Sequence, residues 1–236
     1  MRSKTRSRDV PGVRTRSGAR RSRKPRRLPG RPGNRALTVG AEVIIHKACE
    51  LLREVSPREL SLLGLARFAG VDRSLIRYYF RDRSSLLLAA ARHLFGRLKS
   101  RLDAVEAALG EDPLAQVREF ATVLLTFQIE HPYFHRLMIE EVVNAPNQEA
   151  EAFFRSVTEQ GARTFRDLAI AGSRRGLTRA YDGVFLYLAL IGMCEFFVTG
   201  RPILKVVFGQ DFAPVRANRQ YLEFLRDYVI DGIRKR

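Results

Sequence analysis

The sequence has no tryptophan, only two cysteines and three methionines, and an opening stretch almost empty of acidic residues. Each scarcity narrows the reading. Cys49 and Cys194 stand far apart, with no CxxC pair and no Cys/His ligand cluster, so neither a disulfide framework nor a zinc module is indicated. Such usage suits a reducing compartment. Long apolar runs are also missing. The most apolar one, Gly183 to Cys194, is twelve residues and ends at Glu195, whereas a membrane-crossing helix needs about twenty. A secretory leader requires an apolar stretch of about 7–15 residues after its basic start, and none follows here. The expectation is a soluble, cytoplasmic protein with no membrane partner. No Ser/His/Asp or paired-carboxylate motif stands out, so the chain does not read as an enzyme, and no cofactor or metal is expected.

The missing acids locate the charge. Residues 1–35 hold fourteen Lys and Arg against a single acid, Asp9, and so carry +13 of the formal +17. The remaining residues are nearly balanced, with 28 basic and 24 acidic side chains. Pro11, Pro25, Pro29 and Pro32, many Ser and Gly, and few apolar groups accompany the basic residues. Such a composition cannot bury enough surface to offset the entropy of ordering it. Residues 1–36 are therefore expected to form a disordered basic arm with affinity for polyanions. The alternative is a translation start further along the chain, which would leave the arm without a role.

Beyond the arm the pattern is helical throughout, and the expected fold class is all-α. Ile44, Ile45, Ala48, Leu51 and Leu52 recur at the spacing of one helix face, with Thr38 as candidate N-cap and Ser56-Pro57 as the stop. Two short helices should follow, from about Leu60 to Ala69 and from an Asp72 cap to Phe80. Longer ones are predicted over about 84–108, from Leu114 to His131-Pro132, from Phe134 to Val143, through Phe154 to Gly172, over 182–198 and over 215–233. No alternation of strand type and no internal repeat is present.

The segment 60–79 has the spacing of a helix-turn-helix. Ala66 supplies a small residue where two helices cross, Gly70 permits a left-handed turn, and Val71, Ile76 and Tyr79 suit the interior. Arg73, Ser74, Leu75, Arg77 and Tyr78 are left on the outward side, where basic, hydroxyl and aromatic groups can reach phosphates and base edges in a major groove. The spacing alone fits an ordinary helical hairpin equally well.

A longer window decides between them. The run from Leu65 to Arg83, followed by Leu86, resembles the signature of TetR-family transcriptional regulators, and the helix carrying Ile44 to Leu52 is similar to that family's first helix at the matching offset. The resemblance implies a DNA-binding domain over 38–98 and an effector-binding and dimerisation domain over 99–236. It assigns Ser61 to a phosphate contact at the start of the second helix, Asp72 to the cap of the recognition helix, Tyr79 to packing combined with a phosphate contact, and Arg83 to the DNA backbone. The sequence departs from the family at Ser56, where Gly is usual, at Arg77, where Tyr is frequent, and at Leu63-Gly64, where Gly64 should weaken its helix by about 1 kcal/mol.

For the larger domain the resemblance implies a small-molecule pocket, with Phe95, Phe127, Phe134, Met138, Phe154 and Phe165 as candidate walls; Phe153 belongs to the same aromatic set. Aromatic residues at helical spacing are equally what a plain core would show. His131 and His135, four apart with Glu140 and Glu141 beyond, have a ligand-like spacing, but Pro132 places His131 at a helix boundary and the two rings off a common face. Residues 182–198 are apolar almost all round and Leu222, Leu225, Val229 and Ile233 stripe 215–233; both segments read either as interior core or, as the resemblance implies, as a homodimer interface.

The resulting expectation is a homodimeric regulator of palindromic double-stranded DNA, a repressor released by an unknown small-molecule effector. An effector-independent activator or nucleoid-associated factor is the alternative. Deleting residues 1–35 should lower DNA affinity across all sequences and flatten its salt dependence, by about 0.9 in log–log slope for each phosphate that the arm would have neutralised. An unchanged slope in a salt titration of the shortened chain would mean that the arm does not touch DNA.

Overall fold

Helix boundaries follow short polar side chains that satisfy the free N–H groups of a first turn. Ser61 Oγ accepts from Gly64 N–H at 2.9 Å, Asp72 from Ser74 N–H at 2.6 Å, and Asp82 from Ser85 N–H at 2.8 Å. Asp112, Asn147 and Asp182 cap three further helices in the same way. The computed structural model describes residues 34–145 and 147–235, so the expectation for the arm falls outside the described residues up to position 33.

Among the described residues ten helices result: α1 (Asn34–Leu51), α2 (Leu62–Ala69), α3 (Arg73–Tyr79), α4 (Arg83–Leu109), α5 (Pro113–Glu130), α6 (Phe134–Arg136), α7 (Gln148–Arg174), α8 (Gly183–Thr199), α9 (Arg201–Phe208) and α10 (Pro214–Ile233). The fold is all-α, and pairing of strand type among the described residues is limited to one bridge between Thr178 and Arg234.

Four boundaries differ from expectation. Helix α1 starts at Asn34, which leaves Thr38 inside it and makes 34–36 helical rather than part of the arm; Ala36 and Leu37 favour helix and nothing there breaks it. Helix α7 starts at Gln148, well before Phe154, because Asn147 caps it. Helix α6 gives way to a π-helical turn over Leu137–Val142, in which Val143 N–H reaches back to Met138 C=O at 3.0 Å. Helix α9 is hidden in the sequence by Gly200 and Pro202, which read as breakers; proline in a first turn forfeits only an N–H that would be unpaired anyway.

The predicted division at residue 98 falls inside α4, one uninterrupted helix of 27 residues. Its first half is walled into a core with Ile44, Ala48 and Leu52 of α1, Leu65 of α2 and Ile76 of α3. That core continues without a gap to Phe127 of α5 and to Phe134, Leu137 and Met138 of the α6 segment. A second core surrounds the other end of α5, where Val117, Phe120 and Ala121 meet Phe165 of α7, Leu190 and Cys194 of α8, and Leu225 and Val229 of α10. Helix α5 is therefore the central post of the larger domain, and burial pushes the Cys49 and Cys194 thiols in these cores up to about 12.

The α10 stripe takes the first of its two readings. Leu225, Val229 and Ile233 are buried in the core around α5 within one chain, so these three are interior, while Phe224 and Tyr228 of the same helix stay exposed.

Helices α7 and α8 run in opposite directions, Gly183 against Phe165 and Tyr187 against Gly161. At Gly183 the approach is backbone to backbone: a Cβ there would overlap the Phe165 carbonyl and lie 2.7 Å from Arg166 Cα. Gly183→Ala should therefore destabilise the fold by about 1–3 kcal/mol, measured by urea denaturation. A change below ~0.5 kcal/mol, the range of an ordinary surface substitution, would show that this close approach is absent.

Candidate nucleic-acid interface and cavity

The α2–turn–α3 unit depends on Gly70, whose φ of 66° and ψ of 32° lie in the left-handed region. From that turn Val71 N–H bonds back to Ala66 C=O at 3.0 Å, and Asp72 opens α3. Hydrogen bonds from Ser74 hold the Asp72 carboxyl below the usual carboxylate range. On α3, Ile76 is fully buried, and it orients the helix so that Arg73, Ser74, Leu75, Arg77 and Tyr78 are all exposed. Among the described residues neither Arg73 nor Arg77 takes part in an ion pair, in contrast to Arg101, Arg118, Arg175 and Arg226 of the larger domain. Arg67 and Arg81 are exposed on the neighbouring stretches and widen the basic surface. The arrangement offers guanidinium groups, a hydroxyl and an aromatic ring on one rigid short helix.

Three predicted site residues are placed differently from the rest. Ser61 caps α2 through its oxygen, which leaves its O–H free to donate outward. Tyr79 is half-buried, edge-on to Tyr78 at 5.2 Å, and its ring lies over Gly40 of α1, so its position serves packing. Arg83 is turned inward. Its Nε donates to Leu60 C=O at 2.8 Å, its two terminal nitrogens grip Glu141 at 2.8 and 2.7 Å, and one of them also donates to Pro57 C=O. Four of its five N–H groups are committed in this way, so Arg83 holds the fold from within, which departs from the DNA-backbone role that the resemblance implied for it. Its partner lies 58 residues away in sequence, and no local signal could have shown it.

All six candidate wall residues of the larger domain meet at one cavity of about 230 Å³. Phe95 comes from α4, Phe127 from α5, Phe134 and Met138 from the α6 segment, and Phe154 and Phe165 from α7. Phe153 stands outside it, edge-on to Phe95 at 6.0 Å. Sequence reading misses the α8 wall of Tyr187, Leu188 and Ile191, whose apolar pattern suggests only core or interface. It also misses Gln128, a nearly buried polar residue that lines the cavity. Among the polar residues that line it, Lys99 is paired with Asp103 at 2.6 Å and His135 meets Glu195 at 2.8 Å, while Glu106 takes part in no ion pair among the described residues. His131 faces elsewhere, so the two histidines do not converge.

The wall and the reading head meet in one segment. Met138 and Ile139 line the cavity, and the next two residues bind the head: Glu140 to Arg58 at 2.9 Å and Glu141 to Arg83. Hydrogen bonding from Arg136, with Arg58 adding to it, holds the Glu140 carboxyl low.

Residues 112–235 match the family description "Tetracyclin repressor-like, C-terminal domain". The chain is 24% identical over 170 residues to the HTH-type transcriptional repressor NicS of Pseudomonas putida, a match covering 68% of this chain and 76% of that one. It is 37% identical over 76 residues to the HTH-type transcriptional regulator BetI of Pseudomonas paraeruginosa, covering 32% of this chain and 39% of that protein's length. Its fold is similar to that of the ketosteroid transcriptional regulator KstR2 of Mycobacterium tuberculosis, with a TM-score of 0.61 at 16% identity, covering 89% of this chain and all of the other.

Arg77→Ala should weaken binding to operator fragments selected from genomic DNA by about 1–3 kcal/mol and relax the preference at one position, with stability within about 0.5 kcal/mol of the parent. Arg83→Ala should instead lower folding stability by about 1.5–3 kcal/mol through the charged hydrogen bonds it removes. Anisotropy titrations and urea melts separate the two, and unchanged affinity and preference in Arg77→Ala would mean that α3 does not face the bases.

Proposed function

The chain belongs to the TetR family of transcriptional regulators, and from that premise we propose a homodimeric repressor that leaves its operator when a small, uncharged, largely apolar molecule fills the α4–α8 cavity. It is a sequence-specific DNA-binding regulator. Helix α3 reads the major groove through Arg73, Ser74, Leu75, Arg77 and Tyr78, while Ser61 donates to a backbone phosphate beside it. The repressor sign follows the similarity to NicS, a transcriptional repressor by name.

Dimerisation uses an apolar face that no other part of the described chain covers. Phe185, Leu188 and Phe196 are exposed along one side of α8, Phe185 by 70%, with the small Ala189 and Gly192 between them. Phe224 and Tyr228 of α10 stack at 5.5 Å and are exposed beside them. Two copies brought together on this face form a four-helix bundle from α8 and α10 and set two reading heads on a two-fold axis, as a palindromic operator requires. The face extends onto α9, where Val206 is 84% exposed.

One observation carries the regulatory reading. The segment from Phe134 to Val142 is wall to the cavity and anchor to the head within four consecutive residues, Met138 to Glu141. A molecule that displaces Met138 and Ile139 shifts Glu140 and Glu141 with them, and Arg58 and Arg83 carry the shift to α2 and α4. The head spacing that fits the operator is then one of two states, and the effector favours the other by its differential affinity. The π-helical turn in the same segment supplies a backbone that changes register at low cost. Largely apolar walls and the Gln128 amide among them select a molecule with a single hydrogen-bonding group.

A library of uncharged aromatic and aliphatic compounds, screened for thermal stabilisation, tests this. Hits should lower operator affinity by about 5–150-fold, and Gln128→Leu should weaken hits that carry a hydrogen-bonding group by about tenfold. Hits that depend on Gln128 but leave operator affinity unchanged would sink effector control.

A further inference from the structure

Three of the four histidines of the chain gather at a second, polar cleft on the far side of Phe127 from the effector cavity. It has a volume of about 330 Å³ and lies where α1 of the reading head meets α4 and the end of α5. His46 and His93 approach with ring centroids 4.5 Å apart across the α1–α4 junction. His131 forms the floor. It is 5% exposed, its ring rests on Phe127 at 4.7 Å, and neither of its nitrogens has a hydrogen-bond partner. A buried imidazole with both nitrogens unmatched is unfavourable unless something else meets them.

The charges around the floor say what that is. Two carboxylates border the cleft, and both are already neutralised from outside it: Glu50 by Lys47 at 2.6 Å and Glu130 by Arg101 at 2.7 Å. Two guanidinium groups remain, Arg53 and Arg97. Arg53 spends only its Nε, on the Glu130 carbonyl at 3.2 Å, and Arg97 makes no hydrogen bond or ion pair among the described residues. The cluster is thus left with an excess of about two positive charges and open N–H donors, a surplus that attracts an anion and opposes a cation.

We propose that this cleft binds a small oxyanion, a phosphate or carboxylate group, which Arg97 and Arg53 grip from the rim while His131 donates from below. Such an anion bridges α1 to α4 and α5 and so fastens the head to the larger domain at a point separate from the Glu141–Arg83 clasp. The neutral state of the floor agrees: burial, and then Arg97, push the His131 imidazole down to about 4, and a bound anion would raise it again. The cleft is independent of the effector cavity, since His135, the fourth histidine, lies on that cavity and is held by Glu195.

Imidazole NMR on the full chain provides the test, because one histidine serves as internal control. Inorganic phosphate and citrate are titrated separately at fixed pH, with potassium chloride keeping ionic strength constant. The His46, His93 and His131 resonances should move saturably while His135 stays still, and the tighter of the two anions identifies the group preferred. Arg97 is on the exposed face of α4, so Arg97→Gln leaves the core intact, and it should weaken the response about tenfold or more; Arg97→Lys should retain part of it. The proposal is overturned if the three resonances stay fixed up to about tens of millimolar of either anion, if all four move alike, or if Arg97→Gln binds as the parent does.

Discussion

The contact between the cavity wall and the reading head centres on one guanidinium, with the Arg58–Glu140 pair beside it. Arg83 sits at the first position of α4, where it holds two carbonyls of the segment before α2 and the Glu141 carboxylate of the π-helical turn. Planar, always charged and carrying donors in a fixed fork, an arginine can satisfy three such partners at once, whereas a lysine cannot. The helix it opens is rigid and spans both halves of the chain. Movement of the turn is therefore felt at α2 directly, and the head cannot swing without breaking charged hydrogen bonds in a partly buried site.

The larger domain distributes its apolar surface among three tasks. Helix α5 buries nearly all its faces and contributes structure. Helix α8 is divided along its length: Leu190 and Cys194 go to the core, Tyr187 and Ile191 to the cavity, and Phe185 and Phe196 to solvent. An all-round apolar helix is what that threefold use requires. Its close approach to α7 at Gly183 sets the distance between the two walls of the cavity, so the space for a ligand depends on a residue with no side chain.

Much of the reading head is legible in sequence because its signals are local. A cap, a small residue at a crossing, a glycine at a turn and an apolar residue at fixed offsets all lie within twenty residues, and Ala66, Gly70, Asp72 and Ile76 stand in the structure as their spacing predicts. The six cavity residues are aromatic or flexible apolar groups at helical spacing, and the structure brings them together. Arg83 misleads for the opposite reason, since its partners lie far along the chain. The stripe on α10 and the exposed face of α8 look the same in sequence, because apolar periodicity records that a face is covered and not what covers it.

Local residue patterns suffice to show a helical chain, the start of most helices, a helix-turn-helix near residues 60–79 and positive charge concentrated ahead of it. These follow from nearest-neighbour chemistry: caps, breakers, periodicity and composition. Which arginines remain open to DNA, which aromatic residues enclose a space, which histidine is buried without a partner and which apolar faces stay uncovered emerge from the folded chain alone. Each of those depends on residues tens of positions apart meeting at a few ångströms, and distance of that kind is set by the packing of the helices, not by any one of them.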